Sequence, residues 1–138
     1  MGHIYQKKMP IIKNSHLPMI IVNTIPHKKQ RYDTVGDWPS PVSGIQHFFI
    51  SSMKKRAYEV AVFTHELIEE EWCTENNITP QIVDDWDMLY TGKYTDDPGA
   101  DPKCPYHKGH MLGLKAERFV IEKVFNLSWK EYISCDLG

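Results

Sequence analysis

The stretch RAYEVAVFTHELIEEEWCTEN, residues 56–76, contains no glycine and no proline and is dominated by good helix formers such as alanine, glutamate and leucine. We therefore predict a long helix that ends at Asn76-Asn77. At about 100° per residue, its apolar side chains fill one broad arc that predicts the core face. These side chains are Val60, Ala61, Phe63, Thr64, Leu67, Ile68 and Trp72. His65 falls at the edge of the arc and Glu69 lies one turn further on, so both can reach a common ion.

A second helix is predicted from about Tyr106 to Asn126, and its core-facing stripe carries ionisable side chains. His107, His110 and Glu117 share this stripe with leucine, isoleucine and valine, whereas the lysines point outward. An isolated buried carboxylate or imidazolium is costly unless it is paired, neutralised or bound to a metal. A divalent cation between the two helices would satisfy both, so we predict a metal site where they meet.

Zinc is the expected ion, because imidazole nitrogens and carboxylate oxygens at about 2.0–2.2 Å are its ordinary ligands. A mixed nitrogen and oxygen set also accepts manganese, iron, cobalt or nickel. The cysteines Cys73, Cys104 and Cys135 are odd in number and form no C-x-x-C pair. They suggest neither a disulfide framework nor a thiolate zinc site, and they fit a reducing, intracellular setting.

The composition excludes several classes of protein. A chain of 138 residues is typical of one domain, here residues 1–138, and 16 basic against 18 acidic residues give a net charge of −2. The sequence contains no basic stripe of the kind that binds the phosphates of nucleic acids. Met1–Pro10 has no apolar signal region, and no apolar run approaches the roughly 18 residues of a membrane span. We expect a cytoplasmic protein without nucleic-acid or membrane partners, whose substrate or protein partner is unknown.

Outside the two helices, the pattern predicts an α+β fold. Met19–Ile25 is a short β-branched run typical of a buried strand, and residues 45–53 have strand propensity. Glycines and prolines between them mark turns, so we predict a small antiparallel sheet with hairpin connections, packed against the two main helices. Residues 82–90 are predicted to hold a short helical turn, residues 91–105 a surface loop, and residues 129–133 a final helical turn.

The segment His65-Glu66-Leu67-Ile68-Glu69 resembles the H-E-x-x-H helix of the zincin metallopeptidases, with glutamate in place of the second histidine. The order of a small sheet, a metal helix and a second helix is also similar to zincins. The whole pattern, with Pro98-Gly99-Ala100-Asp101-Pro102 and Pro105-Tyr106-His107-Lys108-Gly109-His110, looks like a group of small, uncharacterised bacterial and phage proteins. The resemblance covers roughly residues 45–125.

The resemblance implies roles for particular residues. The third metal ligand would be His110, with His107 as its rival, and Glu66 would take a proton from a metal-activated water. Tyr106 is a candidate donor to the oxyanion. Glu117 would be a fourth ligand, or would hold the second nitrogen of a ligating histidine. The carboxylate in place of the second histidine makes the site more negative, which lowers the Lewis acidity of the metal.

Three functions remain open at this stage. The first is a zinc-dependent hydrolase of the peptidase or amidase type, and the second is a non-catalytic, metal-stabilised structural or binding module, for example one associated with a phage. An open coordination position beside Glu66 favours the enzyme, and closure by four protein ligands favours the module. The third is a metal-free hydrogen-bonded cluster. Glu70 and Glu71 are predicted to lie at the surface.

Overall fold

The computed structural model describes residues 19–137, which form a three-stranded sheet and four α-helices. The strands are β1 (Met19–Ile25), β2 (Gly36–Asp37) and β3 (Ile45–Ser51). The helices are α1 (Arg56–Glu75), α2 (Pro80–Leu89), α3 (His107–Phe119) and α4 (Trp129–Ile133). The predicted α+β class is confirmed, whereas the expectation for Met1–Pro10 lies outside the described residues.

The sheet is mixed, so the prediction of a wholly antiparallel sheet is wrong. Its order is β1-β3-β2, with β3 parallel to β1 and antiparallel to β2. The chain reverses direction once between β1 and β2 and again between β2 and β3, so β1 and β3 run parallel. Parallel strands require a long connection, which here is residues 26–44. The returning segment pairs with β3 only at Gly36–Asp37, which leaves β3 in the centre of the sheet.

Strand β1 lies at the edge of the described sheet and is only half-buried, so its prediction as a buried strand is wrong. Its side chains alternate between half-buried and exposed from Val22 onward, and Met19 and Ile20 are also exposed. The core is built instead on β3, where Phe48 and Ile50 are fully buried. Helix α1 packs against β3, so the central strand presents its side chains to the helix that carries the candidate site.

Helix α1 has the predicted length, but it buries more of its circumference than predicted. Its fully buried side chains include Ala61 and Val62, whereas Val60 is exposed. Since the sheet covers α1 on one side and α3 covers it on another, polar residues are buried too. Glu70 is only 7% exposed, and one of its carboxylate oxygens has no hydrogen-bond partner, so its prediction as a surface residue is wrong.

The predicted turn at residues 82–90 is a ten-residue helix, α2, which begins with Pro80 and is capped by the Thr79 side chain. The following loop contains one 3₁₀ turn, Pro98–Ala100. Helix α3 continues as a π-helical segment, Val120–Val124, so the predicted second helix is confirmed in its extent. Helix α4 is the predicted final turn.

Two glycines let α3 lie unusually close to α1. A Cβ atom at Gly109 would stand 2.7 Å from the Trp72 ring, and one at Gly113 would stand 2.8 Å from the carbonyl oxygen of His65. Real Cβ contacts are not this short, so neither position accepts a larger residue at the present spacing. The glycines thereby set the distance across which His110 faces His65.

Candidate metal centre

Three ligand-type atoms from α1 and α3 converge at the contact between these helices. His65 Nε2 lies 3.3 Å from Glu69 Oε2 and 3.3 Å from His110 Nδ1, and His110 Nδ1 lies 2.9 Å from Glu69 Oε2. His65 and Glu69 are one helical turn apart, which places both on the same face of α1. Their side chains are buried, at 8% and 6% exposure, and His110 is half-buried. This group could hold a metal ion.

The spacing of the three atoms matches the requirement of a small divalent ion. A circle through points separated by 2.9, 3.3 and 3.3 Å has a radius of about 1.8 Å. An ion with bonds of about 2.0–2.1 Å would therefore lie slightly outside the plane of the three atoms. Three ligands on one face of a tetrahedron have a similar spacing, since its edges are about 3.3 Å for such bonds. A fourth position would then remain on the other side of the ion.

Each of the three ligand residues is held from behind by another side chain. Glu117 Oε1 lies 2.6 Å from His65 Nδ1, and Asp97 Oδ1 lies 3.0 Å from His110 Nε2. The indole N–H of Trp38 donates to Glu69 Oε1 at 3.3 Å. Because each of these two carboxylates accepts a hydrogen bond from the outer N–H group of its histidine, the inner nitrogen is directed towards the shared point. Such outer partners are typical of histidines that bind metals.

Burial and charge act in opposite directions on the two histidines. Desolvation disfavours the imidazolium form of His65, but the hydrogen bonds with Glu117 and Glu69 outweigh it and raise the pKa to about 11. In His110, the hydrogen bonds with Asp97 and Glu69 likewise outweigh desolvation and raise the pKa to about 9. Without a metal, both rings are therefore protonated at neutral pH and donate to Glu69, whose pKa these bonds lower against the effect of burial.

Glu66 lies beside the triad, and its side chain differs from that of Glu69 in having no hydrogen bond or ion pair with any residue in 19–137. Its side chain passes so close to Gly36 of β2 that a Cβ there would stand 2.6 Å from Glu66 Cγ. Burial, followed by the negative charge of Glu69, raises the pKa of Glu66 to about 8. The charge of His65 lowers this pKa only in part, and Glu66 has no hydrogen bond with a histidine, in contrast to Glu69 and Glu117.

A cleft of about 300 Å³ opens beside the triad. Glu66 and all three candidate ligands line it, together with side chains from α2 and from the loop at residues 95–99. Tyr106 also lines the cleft, and its hydroxyl donates to Asp87 of α2. An ion held by the triad would therefore be accessible from a space large enough for a small ligand or a short peptide segment.

The structure brings together some of the predicted residues and separates others. His65, Glu69 and His110 converge, whereas Nδ1 of the rival His107 donates to the carbonyl oxygen of Gly99, 3.0 Å away, and His107 is not part of the group. The described geometry therefore groups His110, and not its rival His107, with the ligand-type atoms of α1. Glu117 lies behind His65, and of its two predicted roles the structure favours holding the second nitrogen.

Trp38 and Asp97 are neighbours of the site that the sequence analysis did not assign to it. Trp38 follows β2, far from α1 in sequence, and no local pattern indicated its contact with Glu69. Asp97 precedes the Pro98–Ala100 turn. The sequence predicts a loop at residues 91–105 but indicates no role for the Asp97 side chain. Both contacts depend on how the loops fold over the helices.

A second arrangement of catalytic residue types occurs at the sheet. Ser51 Oγ lies 2.8 Å from His27 Nδ1, and His27 Nε2 lies 2.9 Å from Asp33 Oδ1. A serine nucleophile must reach its substrate, but Ser51 is 0% exposed. This chain of hydrogen bonds therefore joins β3 to the preceding loop and is not an active site.

No family model matches this chain, no curated protein matches its sequence, and no solved structure matches its fold. Within residues 19–137, no helix combines the length and the apolar character that are needed to cross a bilayer.

Proposed function

We propose that this protein is a zinc-dependent hydrolase that cleaves amide or peptide bonds. The observation that carries the proposal is the spacing of His65 Nε2, Glu69 Oε2 and His110 Nδ1, at 2.9–3.3 Å, beside an open cleft. Three protein ligands and one open position are typical of catalytic zinc sites, whereas structural sites are usually closed by four protein ligands.

The charges of the site favour a divalent cation. In the metal-free protein, two protons on His65 and His110 occupy the side of the triad where an ion would bind. One divalent ion can replace them without changing the net charge of the buried group. Zinc is the ion that we propose because two imidazoles and one carboxylate form an ordinary zinc ligand set.

Glu66 is the proposed general base. A zinc ion held by His65, Glu69 and His110 would supply Lewis acidity to the substrate carbonyl and to water. Beside such a cation the pKa of Glu66 would fall from about 8, so that the carboxylate would be free to accept a proton. Glu66 takes that proton as water oxygen bonds to the carbonyl carbon, and returns it to the leaving amine as the C–N bond breaks.

Tyr106 has no catalytic role in the proposed reaction, although the sequence suggested it as a hydrogen-bond donor to the oxyanion. Its hydroxyl hydrogen is directed to Asp87. Donation to a substrate oxygen would require that hydrogen bond to break. The tyrosine is therefore better explained as a residue that positions Asp87 in the wall of the cleft.

The alternative, a module in which the ion only stabilises the fold, would be favoured by a fourth protein ligand. Among residues 19–137, the group contains three ligand residues, and Glu117 contacts the outer nitrogen of His65. The same geometry that leaves a position open for water thus favours the hydrolase over the module.

The test is a comparison of metal content and turnover in matched variants. We expect one zinc per chain in the wild-type protein and in His107→Ala, and loss of the metal in His65→Ala and His110→Ala, measured by inductively coupled plasma mass spectrometry. His107 is the matched control, since it lies on the same helix but outside the group. Metal-free wild-type protein with unchanged folding would contradict the proposal.

Catalysis is tested separately from binding. We expect zinc-loaded wild-type protein to hydrolyse members of a fluorogenic peptide library, and Glu66→Gln to keep its zinc but lose at least about 10²-fold in kcat. Turnover retained in that variant would remove Glu66 from the mechanism.

A further inference from the structure

The wall of the cleft is strongly acidic, and this is the feature from which we infer the substrate class. Of the 18 acidic residues in the chain, eight line the cleft, and no described lining residue is a lysine or arginine. Two of the eight are Glu66 and Glu69 of α1. The other six are Asp33, Asp37, Asp84, Asp87, Asp96 and Asp97. The chain as a whole carries a net charge of only −2, so negative charge is concentrated here.

The protein neutralises only part of this charge. The guanidinium of Arg31 forms ion pairs with two carboxylates, that of Asp37 at 2.7 Å and that of Asp84 at 3.1 Å. Asp87 receives a hydrogen bond from Tyr106, which is uncharged. Asp96 is exposed at the rim. The wall formed by α2 and the following loop therefore keeps an excess of carboxylates over cations.

A bound zinc ion would not cancel this excess. Glu69 would be its ligand, and Glu117 and Asp97 lie directly behind the two ligand histidines. These three carboxylates already exceed the charge of one divalent ion. Because Asp84 is paired with Arg31, Asp87 is the cleft-lining carboxylate of α2 that is left for another positive group. A cleft with one sign of charge concentrates ligands of the opposite sign.

We propose that the substrate carries a cationic group, an amine or a guanidinium, next to the bond that is hydrolysed. This inference rests on the proposed function, because it assigns the charge of the substrate that the zinc site would cleave. The cleft volume of about 300 Å³ is at the lower end for ligand sites, which fits a short segment with one basic side chain or a free amino terminus. The cationic group would face Asp87, while the scissile carbonyl would face the triad and Glu66.

The experiment compares peptides that differ in one charge. Zinc-loaded protein is assayed on fluorogenic peptides of one sequence with lysine or the neutral norleucine at each position, each with a free or an acetylated amino terminus. We expect kcat/KM to favour the cationic peptide by at least about tenfold at low salt, and the preference to fall as ionic strength rises. Whichever of the two, lysine or the free amino terminus, gives the larger gain in kcat/KM is the cationic group that the cleft binds. Equal or reversed values would overturn the inference.

A pair of variants locates the effect in the cleft. Asp87→Asn keeps an oxygen that can accept the hydrogen bond from Tyr106, so the fold is preserved, and it should lower the preference for lysine about two- to fivefold. Glu71→Gln is the matched control, since Glu71 is exposed on α1 outside the cleft, and its preference should equal that of the wild type. An unchanged preference in Asp87→Asn would contradict the assignment of Asp87.

Absence of turnover on every peptide would count against the proposed function, and a binding measurement then tests the charge inference alone. The lysine and norleucine peptides are titrated into zinc-loaded protein and followed by fluorescence polarisation. Tighter binding of the lysine peptide would support a cationic ligand even without hydrolysis. Equal binding would overturn the inference.

Discussion

Replacement of Glu66 by glutamine should stabilise the metal-free protein at neutral pH, and the gain should depend on pH. Burial and the charge of Glu69 raise the pKa of Glu66 from 4.5 to about 8. The native state therefore keeps this proton while the unfolded chain loses it, so the stability from Glu66 is fully present below pH 4.5 and is lost as the pH rises towards 8. Since one pKa unit corresponds to about 1.4 kcal/mol, the loss reaches about 3 kcal/mol at pH 7.

The assay is urea denaturation of EDTA-treated wild-type protein and Glu66→Gln at pH 4.5, 6 and 8. The difference in the free energy of unfolding should grow in favour of the variant across this range, and saturating zinc should reduce it because the cation lowers the pKa of Glu66. The control Glu75→Gln removes an exposed charge from the same helix and should change stability by less than about 0.5 kcal/mol. A difference for Glu66→Gln that stays constant with pH would refute the electrostatic reasoning.

Three further predictions concern the surroundings of the triad. Asp97→Asn should weaken zinc binding about 10- to 100-fold in a chelator competition assay, because Asp97 orients His110. The control Asp96→Asn should leave the zinc affinity unchanged. Equal effects of the two substitutions would exclude an orienting role for Asp97. Zinc binding at pH 7 should release about three protons in calorimetry across buffers of different ionisation enthalpy, because the raised pKa values keep His65, His110 and Glu66 protonated without the metal; release near zero would contradict this. Gly113→Ala should destabilise the protein by about 1–3 kcal/mol in urea denaturation despite its better helix propensity, because its Cβ meets the His65 carbonyl oxygen; a gain in stability would show that α3 can move away.

The elements of the site were predictable because the helix signals are local. Residues 56–76 contain no helix breaker, and α1 occupies Arg56–Glu75. His65 and Glu69 are one turn apart on that helix, so their proximity follows from its geometry. His110 could be selected only together with His107, because both belong to a broad stripe and only the docking angle of α3 decides between them.

What the sequence did not indicate depends on contacts between distant segments. The parallel pairing of β1 with β3 follows from the route of the chain through residues 26–44, and no local preference encodes strand order. The contact of Trp38 with Glu69 and that of Asp97 with His110 join loops to helices. Glu70 was assigned to the surface because neighbouring glutamates are usually solvated, whereas here α1 is covered on more than one side.

The most direct test of the central claim is a crystal structure of zinc-loaded protein with anomalous diffraction data collected at the zinc absorption edge. The account predicts one strong peak about 2.0–2.2 Å from His65 Nε2, Glu69 Oε2 and His110 Nδ1, with no fourth protein ligand. A zinc ion closed by four protein groups, or a peak elsewhere with these three atoms unliganded, would contradict it.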